Sequence, residues 1–260
     1  MSAPLEEKVE QRTRPTLEEL KERKARNRQR VSDNAEVMTI SMGPHHPSTH
    51  GVFRMDLDLD GEVIVDVRPE VGNLHRGMEK LAESKTYHQI IPLTDRLHYV
   101  VSFSQNEGYC EAVEKLMGVQ VPERAEYLRV IMAEFTRIIS HFIAVGFLFN
   151  DLGAYFTPAL YGMRERELIL DLFEGVSGSR MMCNYMRFGG VIADLPEGWI
   201  KRARELVWNR LPRVMEEFEY LLSGNEIFLT RTRGTGVLTR EEAVAYSMAG
   251  PMLRASGVPY

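Results

Sequence analysis

Three histidines, His45, His46 and His50, stand within ten residues in the stretch MGPHHPSTHG at positions 42–51. An imidazole of ordinary acidity titrates near pH ~6.5, so such a ring can ligate a metal or pass a proton in neutral solution. A catalytic zinc needs three ligands aimed at one point, usually with a carboxylate or thiolate close by in space. Adjacent His45 and His46 point in different directions in most backbone conformations, and Pro44 and Pro47 restrict the loop further. The helical HExxH spacing that converges two rings by itself is not the spacing found here. The pattern favours a proton role for one ring over a metal site. It leaves open the plainer case of one exposed ring and two rings satisfied by backbone carbonyls.

Other chemistries find less support. Cys110 and Cys183 are the only cysteines, so neither a disulfide framework, a CxxC motif nor the four thiolates of a tetranuclear iron-sulfur cluster can be assembled from this chain. A redox centre would have to sit on another chain, and the cysteine usage reads as that of a reducing compartment. Gly234-Thr235-Gly236 lacks the third glycine and the strand-to-helix setting of a dinucleotide fingerprint. Gly175-Val176-Ser177-Gly178-Ser179 matches a hydrolase nucleophile elbow only loosely. The net charge of -5 offers phosphate no global attraction, so nucleic acid is not an expected partner.

Elements must hold the histidine loop, and the hydrophobic period supplies them. Phe53, Met55, Leu57 and Leu59 alternate with Arg54, Asp56 and Asp58, and Asp60-Gly61 turns the chain into Val63, Val65 and Val67. That period of two predicts a hairpin, with Met38–Met42 as a third strand and the histidine stretch as the loop between the first two. From Gly72 the period lengthens and predicts helices over 73–90, 94–117, 123–150, 158–176 and 199–222. In the third, Leu128, Ile131, Met132, Phe135, Ile138, Ile139, Phe142 and Ile143 form an apolar stripe wide enough for a central position. The fold class expected is α+β, a small N-terminal antiparallel sheet followed by a large α-helical bundle. The expected domains are a charged extension over 1–36, a small β domain over 37–71 and a helical domain over 72–260. Within the extension, Thr16 and Glu19 make a capping box for a solvated helix from Leu17 to about Arg30. Residues 6–30 hold fifteen charged side chains, unlike a secretory signal. The most apolar run, Ile138–Phe149, is shorter than the roughly 20 residues a bilayer requires, so no spanning segment is expected.

Seven ordered blocks carry a resemblance: GPHHPSTHG (43–51), LHRGMEK (74–80), TDRLHY (94–99), REREL (164–168), SGSR (177–180), RFGGVIADLP (187–196) and GPMLRASG (250–257). Together they resemble the family of the 49 kDa subunit, also called the D subunit, of proton-pumping NADH:quinone oxidoreductase, respiratory complex I. The resemblance runs from about residue 38 to the end, and because the family generally continues beyond GPMLRASG, a C-terminally shortened chain is expected. The family is similar in fold to the large subunit of nickel-iron hydrogenases, whose CxxC follows an acid-arginine pair. Here Asp95-Arg96 is followed by His98 and Val101 where the thiolates would stand, so the soft ligands nickel and iron need are lost. What the resemblance implies at that cavity is a quinone headgroup.

By the same resemblance His50 and Tyr99 hold the two quinone oxygens, and Asp151 acts on His50 as proton source or orienting partner. Quinone reduction consumes two protons, which suits an imidazole at one oxygen and a phenol at the other. Arg76 and Arg96 are implied near the terminal 4Fe-4S cluster of a neighbouring small subunit, with ordinary ion pairing to Glu79 and Asp95 as the plainer role. His46 looks structural and His45 is assigned nothing. Met182 stands two residues after Arg180, where many members have a histidine, so no histidine-linked pH tuning of that cluster is expected from this position. The chain is implied to bind no cofactor or metal itself and to take quinone as substrate. Its implied partners in the peripheral arm are the small cluster-bearing B subunit and the C subunit. A membrane-arm subunit at the quinone channel mouth is implied as well, and the chain itself is implied to lie peripherally on the cytoplasmic face of the cell membrane. The competing classes are a non-catalytic scaffold and the large subunit of a related membrane-bound hydrogenase.

Overall fold

The computed structural model describes residues 37–45, 51–154 and 157–259, with Glu18, Lys21, Glu22, Ala25, Arg26 and Gln29. Those six isolated residues are helical, while the Thr16 and Glu19 capping box expected for their helix lies outside the described residues. The chain groups into two compact units, one formed by Met1–Arg76 with Val237–Tyr260 and the other by Gly77–Gly236.

The first unit contains the antiparallel sheet β1 (Met38–Met42), β2 (Arg54–Asp60) and β3 (Val63–Glu70), in the order β1-β2-β3. Gly61, at φ 61°, closes the hairpin in the left-handed conformation that costs glycine nothing. Ile40 faces Leu57, and Leu57 faces Val67. A register irregularity follows at Asp58/Leu59. Asp58, nearly buried, accepts a forked Arg68 guanidinium and the Thr39 hydroxyl, whose Oγ1 lies 2.6 Å from its Oδ1. These bonds hold its carboxyl down to about 2. The histidine loop that this sheet carries is described only to His45, which is exposed; His46 and His50 lie outside the described residues. Two short helices, Arg240–Ala245 and Gly250–Ala255, complete the unit. The first of them is started by a Thr239–Glu242 capping box.

The second unit is helical. It runs α1 (Met78–Glu83), α2 (Tyr87–Thr94), α3 (Ser102–Met117), α4 (Glu123–Phe149), a π-helical turn (Asn150–Ala154) and α5 (Thr157–Ser177). A tight β4 (Met186–Arg187) and β5 (Gly190–Val191) pair follows. Helix α6 (Trp199–Glu205) and α7 (Leu211–Phe218) are joined and followed by π-helical turns, and α8 (Glu226–Thr232) ends the unit. The helix expected over 73–90 is divided. Gly77, at φ 61°, delays its start to Met78. A second helix begins after Thr86, whose backbone N–H donates to Gln89 Oε1 at 3.1 Å. The helix expected from residue 94 begins only at Ser102, so 95–101 is a turn.

Helix α4 is central, as its stripe implies: Leu128, Met132, Phe135, Ile139 and Phe142 are buried. Its inner half joins a core with Phe103, Ile169, Phe173, Tyr185 and Trp199, while Phe142 meets Val214, Phe218 and Leu222 in a second cluster. Helix α5 approaches closely at two glycines. A Cβ on Gly162 would lie 2.7 Å from the Phe142 carbonyl oxygen, and one on Gly146 would lie 3.0 Å from Ala159 Cα. The helical run Glu123–Ala154 is long and apolar enough to cross a bilayer by length and composition alone, longer than the apolar run Ile138–Phe149 implied. The twelve-residue apolar run underestimated it because the flanking turns continue the helix. A polar anchor nonetheless marks it as a core helix of the bundle: Arg129, fully buried on α4, donates to both carboxylate oxygens of Glu114 at 2.9 and 2.5 Å and to the Gly190 carbonyl at 3.0 Å.

Candidate functional site

Tyr99 rides on the turn between α2 and α3, and a buried polar knot fixes the foot of that turn. Asn106 on α3 donates through Nδ2 to the Ile91 carbonyl at 3.0 Å and to Thr94 Oγ1 at 2.8 Å. The Thr94 hydroxyl in turn donates to the Ile91 carbonyl at 2.8 Å. Backbone bonds from Leu97 N–H to the Thr94 carbonyl and from Val101 N–H to the His98 carbonyl carry the chain around. The outer arc of the turn, Arg96, Leu97, His98 and Tyr99, is exposed, with Tyr99 56% accessible. A phenol presented this way can donate to an approaching carbonyl oxygen.

Beneath that arc, Asp95 is fully buried and neither of its oxygens completes a hydrogen bond of normal geometry among the described residues. Burial pushes its pKa up to about 6, against the opposing pull of the Arg96 and Arg187 guanidiniums and the nearby Asn184 N–H. The ion pairing expected between Arg96 and Asp95 is replaced: Arg96 Nη1 donates to the Pro92 carbonyl at 2.6 Å. Arg76 is exposed, and no ion pair joins it to Glu79 among the described residues.

Asp151 lies on another element, the π-helical turn that ends α4. That turn is held from outside by Arg231 of α8, whose Nη1 donates to the Leu152 carbonyl at 3.2 Å. Gly153, at φ 101°, leaves the guanidinium its room: a Cβ there would come within 2.3 Å of Arg231 Nη1. Tyr99 and Asp151 therefore sit in one unit on separate elements, and no hydrogen bond joins them among the described residues.

Burial pushes both the Cys110 and Cys183 thiols up to about 11. No group of three His, Cys, Asp or Glu side chains that could hold a metal occurs among the described residues. Two of the blocks that carried the resemblance act as braces. Glu165 of REREL is fully buried and accepts both Arg210 Nε at 2.8 Å and Arg164 Nε at 2.5 Å. Arg180 of SGSR binds Glu167, Asp171 and Glu174 along α5. Met182 follows in the left-handed conformation, φ 53°, and is half-buried.

Residues 151–260 match the family model described as "Respiratory-chain NADH dehydrogenase, 49 Kd subunit". The first of the NADH-quinone oxidoreductase D subunits of Roseiflexus sp. (strain RS-1) is 59% identical over 223 residues, which is 86% of this chain and 59% of that relative. The corresponding D subunit of Dehalococcoides mccartyi (strain ATCC BAA-2266 / KCTC 15142 / 195) is 56% identical, and the second D subunit of Herpetosiphon aurantiacus is 54% identical. Each of these alignments covers 86% of this chain and 60% of the relative. By sequence the chain is similar to the 49 kDa subunit family over these stretches. It spans about 60% of the length of the curated relatives it matches.

That similarity agrees with the seven blocks, and Asp151 is the first residue of the segment matching the family model. Sequence reasoning missed Asp95, Asn106 and Arg231 as parts of the site's framework. An acid inside TDRLHY beside the apolar helix IIPLT was a usable signal for Asp95. The Arg231 brace had none, because it joins positions 79 apart.

Proposed function

We propose that this chain forms one wall of the quinone-reduction site in a respiratory complex I, next to a 4Fe-4S cluster held by the small B subunit. The observation that carries the reading is the 59% identity to a protein named as a D subunit of NADH-quinone oxidoreductase. The exposed phenol of Tyr99 on a braced turn supports it. The complex would oxidise NADH, reduce quinone and translocate protons, with this chain peripheral at the cytoplasmic face of the membrane. It would be flanked by the B and C subunits and by the membrane-arm subunit at the channel mouth.

In this reading the Tyr99 hydroxyl donates to one quinone oxygen and the His50 imidazole to the other. As two electrons arrive from the cluster, each oxygen takes a proton and quinol forms. Asp151 orients or recharges His50. Arg76 and Arg96 place positive charge by the cluster and favour its reduced state. With Met182 unable to titrate, the cluster potential gains no histidine-linked pH slope from this position.

Tyr99→Phe removes one hydroxyl and keeps the ring. In the assembled complex it should cost about 1 to 3 kcal/mol of quinone-reduction barrier, with electron transfer to an artificial acceptor upstream preserved. His50→Ala should do at least as much and His45→Ala little. Near-normal short-chain quinone rates for both Tyr99→Phe and His50→Ala would place the quinone elsewhere and leave the chain a scaffold.

A further inference from the structure

Tyr99 has a neighbour to which quinone reduction by the phenol assigns no task. His98 meets it edge-on, with ring centroids 6.4 Å apart and planes at 66°. Both rings are exposed on the same turn, and no hydrogen bond occupies either His98 ring nitrogen among the described residues. We propose that His98 is the proton relay for Tyr99, the imidazole on the turn returning to the phenol the proton it loses at each quinone reduction. This rests on the reading of Tyr99 as the donor to a quinone oxygen.

The chemistry is a closed cycle. The quinone oxygen, charged by electrons from the partner's iron-sulfur donor, takes the Tyr99 proton; the phenol O–H bond breaks and the quinol O–H bond forms. The phenolate then takes the N–H proton of a protonated His98. An imidazolium is in general a stronger acid than a phenol, so the proton passes from nitrogen to the phenolate oxygen. The neutral imidazole, exposed in this chain, is recharged by water within the assembled site.

The other groups on and under the turn do not serve. Arg96 does not release a proton at physiological pH and is tied to the Pro92 carbonyl. Asp95 is fully buried beneath the arc, where the charge of Arg187 on β4 acts on it without an ion pair among the described residues. The Cys110 and Cys183 thiols are buried too. His88, the nearest histidine in sequence, sits edge-on to Phe188 at 5.0 Å instead. The fixed turn keeps His98 beside Tyr99, since the Val101 N–H to His98 carbonyl bond of 3.0 Å and the Asn106 knot hold both ends. His98 acts through Tyr99, so it is a positioning residue and need not touch the quinone.

The test uses the assembled complex containing this chain, a short-chain quinone and an upstream artificial acceptor. His98→Gln should lower kcat about tenfold, at the modest end of proton-transfer effects because water can partly substitute. The quinone KM and the upstream rate should stay constant, and the solvent deuterium isotope effect on kcat should rise. In His98→Ala, millimolar imidazole should restore turnover, as it can at an exposed position. The double variant Tyr99→Phe/His98→Gln should be no slower than Tyr99→Phe, because the relay has nothing left to recharge. If Tyr99→Phe is slow while His98→Gln turns over normally, or if the two losses add, the relay is overturned and the quinone-site reading stands. A Tyr99→Phe variant at full rate would overturn both.

Discussion

Asp95 is the residue whose environment is most at odds with its charge. It caps α2 with its carboxylate fully buried, and its nearest cations are Arg96, turned toward the Pro92 carbonyl, and Arg187, whose Nη1 is spent on the Asn184 side chain and carbonyl oxygens. A pKa pushed up to about 6 from an ordinary 3.8 means the fold favours the neutral acid. The stabilising contribution of that neutral form is complete below about pH 4 and is lost as pH rises through about 6, a change of about 3 kcal/mol. Asp58, held down to about 2 by Arg68 and Thr39, stays charged across that window and does not mask the effect. Asp95→Asn keeps a neutral side chain of the same shape. Urea midpoints should therefore coincide for the two proteins near pH 4 and favour the variant by up to about 3 kcal/mol at pH 8. Parallel curves at all pH values would mean that the carboxyl is solvated or paired.

At the scale of elements, the α4–α5 crossing depends on two absent side chains. Gly162 lies against the Phe142 carbonyl and Gly146 against Pro158 and Ala159, so backbone meets backbone and neither partner can swing aside. Gly162→Ala gains helix propensity of about 1 kcal/mol, but a Cβ at 2.7 Å from a carbonyl oxygen forces the helices apart. The net effect should be a loss of about 1 to 3 kcal/mol. Gly108→Ala on α3, exposed and with open space where its Cβ would go, should instead stabilise by roughly 0.5 to 1 kcal/mol. Denaturant midpoints of opposite sign check the pair; equal signs would reject the close crossing. The period of the sequence made much of this scale legible. Alternation over 53–67 located β2 and β3, and the stripe on α4 named its buried face. What the period could not carry were the breaks at Gly77, Thr86 and 95–101, since apolar spacing runs through them while backbone conformation and long-range bonds such as Asn106 to Ile91 decide them. The site was legible as residue types from ordered motifs, but the braces that hold it, Asn106 and Arg231, join residues far apart in sequence.

Over the whole molecule, apolar burial is distributed unevenly between the two units. Both hydrophobic clusters lie between Ile91 and Leu222, inside the helical unit, whereas the sheet buries Leu57 beside the charged Asp58 and Asp66. Cooperative stability follows buried apolar contact, so amide exchange on the full chain should be slowest in α3, α4 and α5 and faster in β1 and β3, the edge strands. Trp199 is the lever that separates the units. It is buried to 1% exposure, its Nε1 donates to the Leu172 carbonyl at 2.8 Å, and its ring meets Phe135 edge-on at 6.1 Å. Trp199→Ala deletes that contact and leaves the Leu172 carbonyl unanswered, a loss of about 3 to 5 kcal/mol. If Gly77–Gly236 is a cooperative unit in its own right, exchange should accelerate across α3 to α6 together while β1–β3 keep their original rates. Equal acceleration in the sheet would show one cooperative fold in place of two; acceleration confined to α6 would show that the helices do not share a core.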